Sequence, residues 1–194
     1  MNKQRIFKEI KEWTEALFVA IVLAFFIRTF FIQAFKIPTG SMKPTLLEGD
    51  HILVSKILYG AKIPFTKNTR VPGIREPKRG DIIVFVYPED PKKDYIKRLV
   101  GFPGETVRIK DGRVYINEKP LLDKEFQNRY YYNRGEFCTN ELESLKIPDN
   151  SYFVLGDNSG SSVDSRYWGF VPKENIIGKS VLIYWPLWRI RLTE

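Results

Sequence analysis

Apolar and polar positions divide this chain into two unlike parts. Residues 16–27 (ALFVAIVLAFFI) are uninterrupted apolar, and after Arg28 and Thr29 the run resumes as FFIQAF up to residue 35, together the length of a membrane-spanning helix. From Ile37 onward the pattern changes to short runs rich in Val, Ile, Tyr and Phe, punctuated by Gly, Pro, Asp and Asn, which reads as strands and turns. Strands are expected at 51–55, 81–87, 94–100, 106–109, 113–116, 151–155 and 179–185. Asp111-Gly112, flanked by alternating apolar residues, predicts a hairpin closed by a two-residue type I′ turn. The tyrosine-rich stretch 121–150 reads as loops and short strands, part of a smaller inserted region at about 111–150, and the proline-bearing stretch 61–79 as an exposed excursion.

The apolar run predicts an anchor over residues 1–35 and a β-rich domain over 36–194. Arg28 is its flaw, since a charge inside the bilayer is expensive, but it lies in the second half of the run and can extend toward the nearer headgroups. Lys3, Arg5, Lys8 and Lys11 precede the run, with Glu9 and Glu12 among them. The positive-inside rule counts the basic residues and keeps the N-terminus in the cytoplasm, with the β-rich part on the opposite face. A cleaved secretory signal is the first alternative. The run is long for one, carries a charge, and offers only Ala34 as a small-residue junction, with bulky Ile32 two residues earlier. A buried helix is the second, and an all-round apolar helix needs a larger fold around it than this chain supplies.

At 194 residues with 43% hydrophobic and 14% aromatic content, the chain supports one substantial core. Its net charge of +8 comes from 31 Lys and Arg scattered among 23 Asp and Glu. That scatter fits a surface attracted to anionic lipid better than the basic stripe of a nucleic-acid binder. Cys138 is the only cysteine, so there is no intrachain disulfide and no CxxC or Cys/His metal pattern.

Chemistry is concentrated in three segments. Residues 37–46 (IPTGSMKPTL) hold Ser41 in a Gly-Ser turn between two prolines, a stiff, exposed bend suited to an attacking hydroxyl and equally an ordinary turn. A serine needs a base, and the only histidine, His51, lies inside an expected strand with nothing to place it opposite Ser41. Lysine is the alternative base. In residues 95–100 (YIKRLV) alternation puts Lys97 on one face with Tyr95 and Leu99, and Arg98 on the other with Ile96 and Val100. Periodicity leaves open which face is buried. A buried lysine loses enough basicity to accept a proton at neutral pH, whereas arginine stays charged. In residues 156–169 (GDNSGSSVDSRYWG), small hydroxyl side chains suit the orientation of a buried amine, and Asp164 with Arg166 suits a fixed ion pair.

Taken together and in order, the anchor, 37–46, 49–54 (GDHILV), 79–85 (RGDIIVF), 97–105 (KRLVGFPGE) and 156–172 resemble bacterial type I signal peptidase, a serine-lysine dyad protease. The resemblance implies a mainly β fold of two antiparallel sheets with a short inserted region, preceded by one transmembrane helix. It implies a serine endopeptidase of the cell membrane that removes signal peptides from exported precursors after small residues, its catalytic domain on the periplasmic or extracellular face. Ser41 would be the nucleophile, Lys97 the general base, and Thr39 with the Ser41 N–H the oxyanion hole. Ser162 would orient the lysine, supported by Asp164 and Arg166, and Ile37, Pro38, Met42, Leu46, Tyr95 and Ile96 would line the substrate pocket. Partners would be precursor proteins and the bilayer, with no nucleic acid, metal or cofactor. Gly160 and Ser161 depart from the Asp and Asn of some relatives, a change of loop detail. Two rivals remain: another serine-lysine protease such as a self-cleaving repressor, for which no helix-turn-helix replaces the anchor, and a tethered β-rich binding domain.

Overall fold

A computed structural model describes residues 3–66, 69–138 and 143–193. Residues 139–142 of the expected insertion lie outside it, as do the side chains of Lys3 and Arg5 that entered the flanking-charge argument. Helix α1 runs Lys3–Phe30 and strand β1 follows at Ile32–Lys36. The apolar run therefore contains a helix and then a strand, and its last residues pair in the large sheet rather than continue the helix. The same boundary moves Arg28 into the last turn of α1, where a cation complements the carbonyl end of the helix dipole. The stretch Phe7–Phe30 is long and apolar enough to cross a membrane, and none of its apolar window is buried in the protein.

The remaining strands are β2 His51–Ser55, β3 Ile82–Val86, β4 Asp94–Gly101, β5 Thr106–Lys110, β6 Arg113–Ile116, β7 Lys119–Pro120, β8 Leu145–Lys146, β9 Ser151–Leu155, β10 Val171–Pro172, β11 Ile176–Trp185 and β12 Arg191–Leu192, with a short helix α2 at Ser165–Trp168. The large sheet has the order β1-β2-β11-β3-β4-β9-β10, with β12 pairing β11, and the small sheet the order β7-β6-β5-β8. Every pairing is antiparallel. The chain is thus mainly β, with two antiparallel sheets and one N-terminal apolar helix. The small sheet begins at Thr106, ahead of the 111 start expected for the insertion. Asp111 (φ 50°) and Gly112 (φ 73°) close the β5–β6 hairpin with both residues in the left-handed region, as a type I′ turn requires. Asn117 and Glu118 do the same between β6 and β7.

Strand β3, IIVFV, is buried over its first four residues because the large sheet is covered on both faces. Ile82 and Val84 join Ile37, Met42, Leu46 and Ile52 in one core cluster. Ile83 and Phe85 join Leu99, Val154 and Trp168 in another. A third packs Val107, Ile109 and Val114 of the small sheet on Val100, Phe153 and Leu155. Strand β4 lies among all three, so its side chains from Lys97 to Val100 are buried on both faces, while Asp94 at its start is exposed. Residues 67 and 68 of the expected excursion lie outside the described residues; the rest of 61–79 is largely exposed and is pinned by Arg70, which donates to the carbonyls of Gly60 and Glu174 at 2.8 and 2.9 Å and to that of Ile176.

Candidate active site

Ser41 sits in a single 3-10 turn, Gly40–Met42, entered from extended Thr39 and left through extended Lys43. Its neighbour Met42 is fully buried and, with Ile37 and Leu46, plugs the turn into the core. The opposite wall is a second 3-10 turn, Ser159–Ser161. Asn158 clamps the two together: its backbone N–H donates to the Ser41 carbonyl at 3.0 Å and its side-chain amide to the Gly40 carbonyl at 3.1 Å.

Lys97 Nζ lies 2.9 Å from Ser41 Oγ and donates to the Ile96 carbonyl at 3.0 Å. Lys97 is only 4% exposed and Ser41 7%. Burial lowers the Lys97 pKa to about 8, the carboxylates of Asp164 and Asp157 opposing the shift and Arg166 adding to it. An amine in that range is a usable proton acceptor near neutral pH, and among the described residues no carboxylate pairs with it. A cleft of about 260 Å³ opens over the pair, lined by Pro38, Thr39, Ser41, Asp94, Tyr95, Ile96, Lys97, Ser161 and Val163.

Asp164 caps α2 and holds Arg166 through both carboxylate oxygens, at 2.8 and 2.9 Å. Arg166 also donates to Ser159 Oγ at 2.7 Å and to the carbonyls of Tyr132, Ser159 and Ser162. Asp164 further accepts from the Gly156 N–H at 2.9 Å. The pair is fully buried and fixes the 156–166 loop from below.

The six residues expected to line the pocket divide. Pro38, Tyr95 and Ile96 are on the cleft wall, while Ile37, Met42 and Leu46 are buried in the core beneath it, because the turn that exposes Ser41 points its apolar neighbours inward. Thr39 is on the wall and exposed. Ser162 Oγ is buried without a hydrogen-bond partner; the lysine it was expected to orient bonds Ser41 and Ile96 instead. A Cβ on Gly156 would stand 2.1 Å from Ser162 Oγ and 2.7 Å from the Ser41 carbonyl oxygen, so only glycine allows this approach. His51 meets Tyr184 edge to face and is not part of the cleft. Among the described residues, no three His, Cys, Asp or Glu side chains converge as metal ligands do.

Sequence reasoning missed Asp94, Ser161 and Val163 on the cleft wall, the Asn158 clamp behind the Ser41 turn, and a second buried network beside it. Asp157 accepts from Arg98 at 2.8 and 2.7 Å and pairs with Arg129 at 3.1 Å, with the Thr45 hydroxyl also donating to it. Gly-Asp-Asn at 156–158 was visible as a polar string, but its partners are distant in sequence.

The family described as signal peptidase, peptidase S26, matches residues 10–185. The signal peptidase I of Pseudomonas aeruginosa is 38% identical over 220 residues, covering 96% of this chain and 76% of that protein. That of Leptolyngbya laminosa is 39% identical over 188 residues, covering 93% and 82%. A solved structure of a signal peptidase I from Enterococcus faecalis is 35% identical, with a TM-score of 0.45, covering 55% of this chain and 98% of that one. The chain belongs to the signal peptidase family, peptidase S26.

Proposed function

We propose that Ser41 is the nucleophile and Lys97 the general base of a peptide-bond hydrolysis carried out at a membrane surface. Membership of the family makes the chain a serine protease that removes signal peptides, and the apolar α1 fits association with a membrane. The observation that carries the assignment of roles is the 2.9 Å contact between Ser41 Oγ and a buried lysine amine that meets no carboxylate among the described residues.

With a pKa of about 8, about a tenth of the amines are neutral at pH 7. The neutral amine takes the Ser41 proton as Oγ attacks the scissile carbonyl. The resulting oxyanion is held by the Ser41 N–H and the Thr39 hydroxyl. Collapse breaks the C–N bond, the Lys97 ammonium returns the proton to the leaving amine, and a water activated by the same lysine releases the acyl group. Ser162, close to the Ser41 backbone, orients the amine while Oγ is acylated.

An extended substrate fits beside β4. Strand β9 pairs with β4 only from Arg98 onward, which leaves 94–97 an open edge along the cleft where a peptide can add as a strand. The small volume between Pro38, Tyr95, Ile96 and Val163 suits small side chains before the cut. Substrates are exported precursors, the N-terminus of α1 is cytoplasmic, and the catalytic domain faces the other side of the cell membrane.

Cleavage of a purified precursor by folded Ser41→Ala and Lys97→Ala variants tests the roles: both should be inactive, and full activity in either overturns them. The pH profile is a second test. Log kcat/KM should rise with unit slope up to about pH 8, where Lys97 loses its proton, and then level off.

A further inference from the structure

Where α1 meets the large sheet, two hollows lie side by side. One, of about 560 Å³, is lined by Arg28, Thr29, Gln33, Lys56, Lys62 and Asp94 with Phe25, Pro64 and Ile177. The other, of about 260 Å³, is walled only by apolar side chains, Phe26, Phe30 and Phe31 against Ile57, Ala61, Val71 and Pro72. They share the same backbone: Phe25 faces one and Phe26 the other, as do Thr29 and Phe30, Lys56 and Ile57, and Lys62 and Ala61.

Among the described residues, none of Arg28, Lys56 and Lys62 is in an ion pair. Lys56 Nζ donates to the Arg28 carbonyl at 3.0 Å, which ties the end of the helix to the sheet. The Lys56 pKa is lowered by burial and then by the Arg28 charge, with Asp94 opposing. That of Lys62 is lowered by burial and then by Arg70, with Glu174 opposing. The Arg28 charge on Lys56 and the Arg70 charge on Lys62 act in the same direction as burial, and an anion in the hollow would oppose both. The 24 residues Phe7–Phe30 rise about 36 Å, against a hydrocarbon core of about 30 Å. Arg28, two residues from the helix end, therefore stands at headgroup level.

We propose that the paired hollows hold one anionic phospholipid of the leaflet facing the catalytic domain, its phosphate among Arg28, Lys56 and Lys62 and an acyl chain against Phe26, Phe30, Ile57 and Val71. This rests on the reading that α1 spans the membrane. A phospholipid supplies both chemistries, whereas free phosphate leaves the apolar hollow empty and a zwitterionic headgroup brings an ammonium toward three cations. Asp94 lines both this cleft and the one over Ser41, so the bound lipid borders the substrate site.

The test uses the full-length chain in phosphatidylcholine bilayers carrying spin-labelled phosphatidylglycerol, and reads the fraction of label immobilised by protein. Wild type should immobilise the anionic label in preference to labelled phosphatidylcholine. Lys56→Gln with Lys62→Gln should lower that selectivity by about tenfold or more, Lys56→Arg with Lys62→Arg should retain it, and Val71→Trp, filling the apolar hollow, should weaken it. Lys119→Gln with Lys146→Gln, which removes equal charge from the small sheet, should leave it intact. Unchanged selectivity in the first pair, or equal loss in the last, overturns the proposal in favour of diffuse attraction. Displacement of the label by inorganic phosphate or by a precursor peptide overturns it in favour of a free-anion site or the substrate route. The readout is lipid contact rather than proteolysis, so its failure leaves the catalytic roles untouched.

Discussion

Arg98 and Lys97 are consecutive in β4, and their surroundings differ sharply. Arg98 is fully buried and donates to both Asp157 oxygens, to the Gly80 carbonyl and to Thr45. Lys97, on the other face, is nearly as buried and has one serine hydroxyl and one carbonyl. A guanidinium stays charged and must be met by acceptors. An amine left without a carboxylate responds to burial by giving up its proton. The first residue holds strand to loop, and the second is left reactive.

Three substitutions sharpen that contrast. Arg98→Met should have the largest effect on stability, about 3–5 kcal/mol lost in denaturant unfolding, because Asp157 is left buried with one cation fewer. An unchanged midpoint would mean that Arg129 and Thr45 satisfy Asp157 unaided. Lys97→Met should act in the opposite direction, stabilising the fold by about 1–3 kcal/mol at pH 7 while removing activity. Between pH 8 and 10.5 the unfolded chain binds the lysine proton and the folded one does not, so wild type gains stability as pH rises and the variant's advantage should vanish. An advantage that persists at pH 10.5 would point to packing rather than charge. Asn158→Ala should be mildest, costing about 1 kcal/mol and about tenfold in kcat through a loosened Ser41 turn; unchanged kcat would show that the backbone bond from residue 158 suffices.

Much of the fold was legible because turn chemistry and alternation are local. Strands β6 and β9 lie where alternation put them, and Asp-Gly marks its hairpin. Strand β1 was hidden because its IQAF continues the apolar run of the anchor, and hydropathy has no boundary there. Alternation also offered one buried face for β4, whereas a sheet covered on both sides buries Lys97 and Arg98 alike. The turn bearing Ser41 could be read from its prolines, but not its clamp, since Asn158 and Gly40 are 118 residues apart. The same separation hid the Asp157 network, whose members come from four segments.

Only Phe31 separates the end of α1 from the start of β1, and Lys56 locks the junction from the side. On the proposed reading, in which α1 spans the membrane, an anchor joined this closely to its domain has no slack to lend, and the Ser41–Lys97 cleft would ride at one set height above the lipid. Chains reaching it would then have to bring enough unfolded peptide to bridge that gap, and the proposed enzyme would gauge length as well as side-chain size.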